Sequence, residues 1–301
     1  MKRALLPLLA LALGCSSTGT PATQTPAATG PLTDAGMLSN APDATPPTPT
    51  PPPPPPTPPS VTAGERRAVP APTPTVAITA PRDNATLREN RLEVRLNVRN
   101  WRNVTDAADR RHVHLILDNN EYIRVDDPTR PYALENLSEG THVLRAFPGW
   151  ETHESVKTDG AFAMVVFHVG RPSQGWTFNR RAPLLTYSRP KGTMNGADAD
   201  RILLDYYLTN VPAADLGPQG VRVRPTLDGQ ALSDLTQWVP YYLEHLTDGE
   251  HTLVLDLLGR DGQPLPGPFN HVERRITVNH NPPPAAPPAA GAPAPDPHAG
   301  H

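Results

Sequence analysis

Eleven of the 301 residues are histidine, and their spacing sets what chemistry they could do. His112 and His114 alternate within an apolar run, Val113-His-Leu-Ile-Leu117, so on a strand both side chains share one face. His168 sits on another predicted strand, two places away if the sheet follows an immunoglobulin-like order. Three imidazoles on one sheet face could hold Zn²⁺ or Cu²⁺, which makes His112, His114 and His168 the candidate metal set. Against this stands an internal repeat, described below, that aligns His112 and His114 with Arg222 and Arg224. That alignment predicts a solvent face tolerant of charge, and hence no metal ligands. His153-Glu154 begins like the helical zinc-protease motif, but Lys157 stands where the second histidine belongs. His298 and His301 end a Pro/Ala-rich tail, where only weak metal scavenging is expected.

No serine nucleophile elbow, phosphate-binding glycine loop or Cys-x-x-Cys pair occurs, so no catalytic residue and no cofactor is predicted. Pro148–Gly160 is the segment most suggestive of binding. It joins two predicted strands, is long for a hairpin, and places Trp150 among polar residues. Trp150, His153, Glu154 and Lys157 are the candidate ligand-binding residues, since an aromatic ring in such a setting can anchor a partner. The competing expectation is that Trp150 folds back as a plug over the end of the domain. Asn195, Asp198 and Asp200 fall short of the oxygen count that calcium requires, and read as turn residues.

These candidates depend on a scaffold that composition already limits. The net charge is −3 and aromatic residues make up 5% of the chain, which argues against nucleic-acid binding. A single cysteine, Cys15, rules out an internal disulfide or a multi-thiolate metal site. Prolines number 41 and cluster at both ends. Residues 15–75 carry few large apolar side chains and are predicted to be a disordered linker, as is the tail 280–301. Within the linker, Thr45–Pro59 has eleven prolines in fifteen residues. Such a run favours polyproline II and a semi-rigid stalk of about 45 Å.

Between the ends the chain repeats itself. Pro131-Tyr-Ala-Leu-Glu-Asn-Leu-Ser-Glu-Gly140 aligns with Pro240-Tyr-Tyr-Leu-Glu-His-Leu-Thr-Asp-Gly249 at an offset of 109. Pro81 aligns with Pro190, Leu117-Asp118 with Leu227-Asp228, and Val169 with Val278, all at 109 or 110. Each unit shows period-two alternation, clearest at Leu92–Val98 and Val113–Leu117, with turn signals between the runs. The predicted fold class is all-β: two tandem β-sandwich domains, 76–170 and 182–279.

Two resemblances follow from particular residues. Lys2-Arg3, the apolar stretch Ala4–Leu13, and Ala12-Leu13-Gly14-Cys15 resemble a bacterial lipoprotein signal peptide, covering residues 1–14. The resemblance implies acylation of Cys15, a lipid anchor in the cell envelope and, with Ser16 following, the outer membrane. The strand opening Val76–Ile78 with Pro81 and Leu87, and the corners Leu137–Leu144 and Leu246–Leu253, resemble bacterial Ig-like domains. That family implies a non-catalytic binding or structural module, with the membrane as one partner and an envelope protein or polysaccharide as another. A periplasmic or surface metal-binding role is the alternative.

Overall fold

A computed structural model describes residues 55–282. Cys15, the segment expected to be a signal peptide, the start of the predicted stalk, and the tail with His298 and His301 lie outside the described residues.

The first element is unexpected. Ser60–Ala63, inside the segment predicted to be disordered, forms strand β1. Eight strands of the first repeat follow: β2 (Thr75–Ala80), β3 (Ala85–Leu87), β4 (Leu92–Arg99), β5 (His112–Leu117), β6 (Ile123–Val125), β7 (Tyr132–Leu134), β8 (Gly140–Gly149) and β9 (Ala163–Val169). The second repeat gives β10 (Leu184–Arg189), β11 (Gly192–Asn195), a one-turn helix α1 (Ala197–Asp200) and β12 (Arg201–Thr209). It continues with β13 (Arg222–Leu227), β14 (Gln230–Ala231), β15 (Tyr241–Glu244), β16 (Gly249–Leu258) and β17 (His271–Asn279).

The first repeat pairs β2-β4-β7 in one sheet and β3-β9-β8-β5-β6 in the other. The second pairs β10-β12-β15 and β11-β17-β16-β13-β14 in the same order. In both, the first strand divides: its start runs antiparallel in one sheet and its continuation parallel to the last strand in the other. This is an immunoglobulin-like sandwich built twice. Sequence pattern is the cause. Alternating Val76, Val94, Val113, Leu115 and Phe167 point inward to form one core, and Leu204, Tyr206, Val223, Leu253, Leu255 and Ile276 form the other.

The aligned corners serve one purpose in both domains. Asp118 adopts a positive φ of 53° and Asp228 one of 49°, a backbone state that Asp and Asn tolerate through local hydrogen bonding. Asp118 Oδ1 accepts from Val143 N at 2.8 Å, and its Oδ2 accepts from His142 Nδ1 at 2.8 Å. Asp228 repeats this with Thr252 N at 2.7 Å and His251 Nδ1 at 2.6 Å.

The domains do not merely follow one another. The outer face of β5 and β8 packs on the outer face of β10 and β12. Phe147 lies 4.9 Å from Tyr207, and Arg145 Nη1 donates to Thr186 Oγ1 at 2.9 Å. Consequently β5 and β10 are buried on both faces. The linker fastens this arrangement from outside. β1 adds antiparallel to the edge of β15, with Val61 opposite Leu243, although the chain then continues into the first domain. The scarcity of large apolar side chains had suggested disorder for 15–75; at Ser60–Ala63 the edge of β15 instead supplies the backbone partners that this segment lacks on its own.

Candidate metal centre between the two sandwiches

β5 presents His112, His114 and Ile116 on one side, and all three are fully buried. The expectation of a solvent face there is wrong, and the reason is the second domain. Arg222 and Arg224, the aligned residues, are partly exposed and both pair with Asp234 at 2.8 Å. Ser188 on β10 instead covers the histidines, its Oγ 3.0 Å from His114 Nδ1. Ile116 shares the histidine face; its apolar side chain was the one sequence sign that this face is covered.

His168 does not take part. Register places it opposite Thr141 and His112 opposite Gly149, at opposite ends of β8. Those positions are roughly 25 Å apart along the strand. His168 Nδ1 bonds Thr141 Oγ1 at 3.0 Å instead. The third imidazole is His153, from the loop after β8, which the sequence had offered as a partner-binding residue.

His112 Nε2 stands 2.9 Å from His114 Nε2 and 3.2 Å from His153 Nδ1. The three ligand atoms lie within 4.8 Å of one another, and each residue is buried. Nitrogens bound at about 2.0 Å to one ion, at angles near 95–105°, would be separated by roughly the two distances that His112 Nε2 makes. His112 Nδ1 lies 3.2 Å from the carbonyl of Arg110, which can only accept, so that nitrogen carries the proton and Nε2 presents a lone pair. Burial pushes His112 down to about 4, with the Arg124 guanidinium adding to the effect. Burial, then the neighbouring His112 and His153, hold His114 well below the usual range. Both rings are therefore neutral at pH 7, the form that binds metal.

Tyr122 closes the group. Its ring stacks on His114 at 3.9 Å, and its hydroxyl is 3.0 Å from His153 Nδ1 and accepts from Arg189 Nη2 at 2.7 Å. Burial raises its hydroxyl to about 12, which keeps the phenol protonated. Gly149 forms the floor. A Cβ there would overlap His114 Nε2 and stand 3.0 Å from His112 Nε2, so the backbone approaches as closely as any side chain would permit. A small cavity of about 100 Å³ lies beyond His153, lined by Thr152, Arg189, Met194, Asp198 and Leu203.

The other residues expected to bind a partner join the domains instead. Lys157 and Glu154 are buried, and Lys157 Nζ bonds Asp205 Oδ1 on β12 at 2.6 Å. Glu154 accepts from the Tyr242 hydroxyl at 3.3 Å. Trp150 packs edge-on against Trp101 at 4.8 Å, and Arg67 from the linker covers its other side at 5.0 Å. This corrects the expectation of an open binding loop in favour of a plug. The segment closes on itself by a Gly149–Ser155 bridge, and its Glu154, Ser155 and Lys157 side chains bond to the second sandwich. Sequence reading missed Tyr122, Ser188 and Arg189, because nothing local marks a residue that becomes functional only across a domain contact.

No family model matches the sequence, and no curated protein does. Among solved structures, the chain is similar to the fibronectin(III)-like modules of Clostridium thermocellum CbhA, with 11% identity, 68% of this chain and 95% of that one covered, and a TM-score of 0.25. It is similar to the central fibronectin-III array of RIM-binding protein, with 8% identity, coverage of 66% and 69%, and a TM-score of 0.23. A third is the Bacteroides ovatus mixed-linkage glucan utilization locus protein SGBP-B, with 15% identity, coverage of 67% and 70%, and a TM-score of 0.20. The fold assignment rests on the strand order itself.

Proposed function

We propose that this chain is a lipid-anchored protein of the cell envelope, set in the outer membrane through Cys15, that binds a transition-metal ion and catalyses no reaction of its own. The observation that carries the metal reading is the meeting of His112, His114 and His153 nitrogens at one fully buried point. Such nitrogens in a dry interior need either a proton between each pair or one cation that all three coordinate. A cation satisfies them together. Several features support attachment and standoff: the signal-like start, the proline-rich stalk, and a two-domain body with a polar, interlocked interface. Among the described residues no helix is long and apolar enough to cross a membrane.

The test is metal analysis of the purified chain by mass spectrometry after exposure to zinc and to both copper oxidation states. One bound ion per chain is expected, lost in His114→Gln while the circular dichroism spectrum is kept. If the wild type retains no ion, or if His114→Gln retains it, the cluster is a metal-free hydrogen-bond network and the reading fails.

A further inference from the structure

Building on the metal-binding reading, we infer that the centre is matched to univalent copper rather than to a divalent ion. The first ground is the ligand set. Among the described residues only the three imidazoles converge; no carboxylate or thiolate joins them. Of the buried acids, Asp205 is held by Lys157 at 2.6 Å and by Ser155 N at 3.1 Å, and Glu154, next to His153 in the chain, accepts from the Tyr242 hydroxyl at 3.3 Å. Asp126 is shared by Arg102 at 2.8 Å and Arg124 at 2.9 Å. Asp198, on an exposed helix turn, lines the same small cavity as His153 and Met194 but is not among the converging ligand atoms. The ion's charge is therefore not cancelled by an anionic ligand.

The second ground is the surroundings. His112 and His114 are fully buried, and the cost of moving an ion out of water grows with the square of its charge. A dication there costs about four times what a monocation costs. Two cations stand beside Tyr122, Arg189 with Nη2 2.7 Å from the hydroxyl and Lys191 with Nζ 4.4 Å above the ring, opposed in part by Asp205 and Glu121. Repulsion from the two cations also doubles with the ion's charge.

Coordination number is the third ground. A structural zinc site calls for four ligands, and divalent copper for a tetragonal set of nitrogen and oxygen donors. Univalent copper, with a filled d shell, is satisfied by two or three imidazoles. Gly149 closes one side of the centre, and the stacked Tyr122 ring closes another. Met194 is buried and lines the small cavity together with His153, which places a soft thioether beside the centre.

The experiment is an anaerobic competition on the detergent-solubilised full chain. Cu(I) is supplied as its bicinchoninate complex, Zn²⁺ is titrated against a zinc-binding dye, and Cu²⁺ is followed by electron paramagnetic resonance. We expect one Cu(I) per chain drawn from the chelator and an affinity for Cu(I) at least 100-fold above that for Zn²⁺. His153→Gln should weaken Cu(I) by tenfold or more. Met194→Leu, which conserves volume, should leave folding intact and slow Cu(I) uptake severalfold. Binding of Zn²⁺ or Cu²⁺ as tight as Cu(I) overturns this inference and leaves the metal-binding reading standing. Absence of every ion from the wild type overturns both.

Discussion

Lys157→Met tests whether the two sandwiches are joined as described, because Lys157 belongs to the first and its partner Asp205 to the second. The Lys157 ammonium has three acceptors: Asp205 Oδ1 at 2.6 Å, Ser155 Oγ at 3.0 Å and the Tyr206 carbonyl at 3.0 Å. The two side chains are 2% and 0% exposed, so neither partner can turn to water when the other is lost. Methionine fills much of the lysine volume and removes the charge. Asp205 would keep only the Ser155 backbone bond at 3.1 Å. Breaking a buried pair in this way costs about 3–5 kcal/mol. That is roughly a 100- to 4,000-fold change in the unfolding constant. With a urea slope of about 3 kcal/mol/M, the midpoint falls by about 1–1.7 M. Adding Asp205→Leu removes the stranded carboxylate, and the double variant should return to within about 1–2 kcal/mol of the wild type. Equilibrium unfolding in urea, followed by tryptophan fluorescence, reads both values. A single-variant loss below about 1 kcal/mol, typical of an exposed pair, would refute the buried interface. So would a double variant no more stable than Lys157→Met.

Asp118→Ala removes the acceptor of both Val143 N and His142 Nδ1, and should cost about 2–3 kcal/mol by thermal unfolding. The Asp118 bond, opposed by burial and helped by the Ser138 carbonyl, raises His142 above its usual range. A histidine with a raised folded pKa stabilises fully below about 6.5, and that stabilisation is lost as pH rises through the folded value. This contribution to the melting temperature should therefore fall as pH rises above about 6.5, and Asp118→Ala should flatten it. Deleting Ser60–Ala63 bares the edge of β15, so sedimentation should show concentration-dependent association that the wild type lacks. Cys15→Ser should move the protein from the membrane fraction to the soluble fraction, or block its maturation; normal processing with retention in the membrane would count against acylation there.

The repeat offset made most of the fold legible, because residues at 109 or 110 spacing occupy equivalent strands and corners. His142 and His251 recur at the aligned corners and hold them through Asp118 and Asp228. The centre was only half legible. Alternation along β5 correctly placed His112 and His114 on one face, but period-two pattern says which residues share a face, not what covers it. Comparison with Arg222 and Arg224 then misled, since tandem copies keep the fold of a face while differing in whether a neighbour lies on it. His153 was singled out for the wrong reason. Its loop is polar because it meets Asp205, Tyr206 and Tyr242 across the interface, and a polar loop facing protein has the same composition as one facing water.

The pairing of β1 with β15 also sets an order of events during synthesis. Ser60–Ala63 leaves the ribosome before either sandwich, yet its register partners Tyr241–Glu244 are made about 180 residues later. At about 5–20 residues per second, that strand waits roughly 10–35 s for its place in a sheet. The first sandwich must complete its own sheets within that interval while the segment just upstream stays unpaired. The pairing that spans the longest stretch of sequence among the described strands thus waits until most of the second domain has been made. A nascent chain stalled before Tyr241 would leave Val61 and its neighbours without the strand that pairs with them.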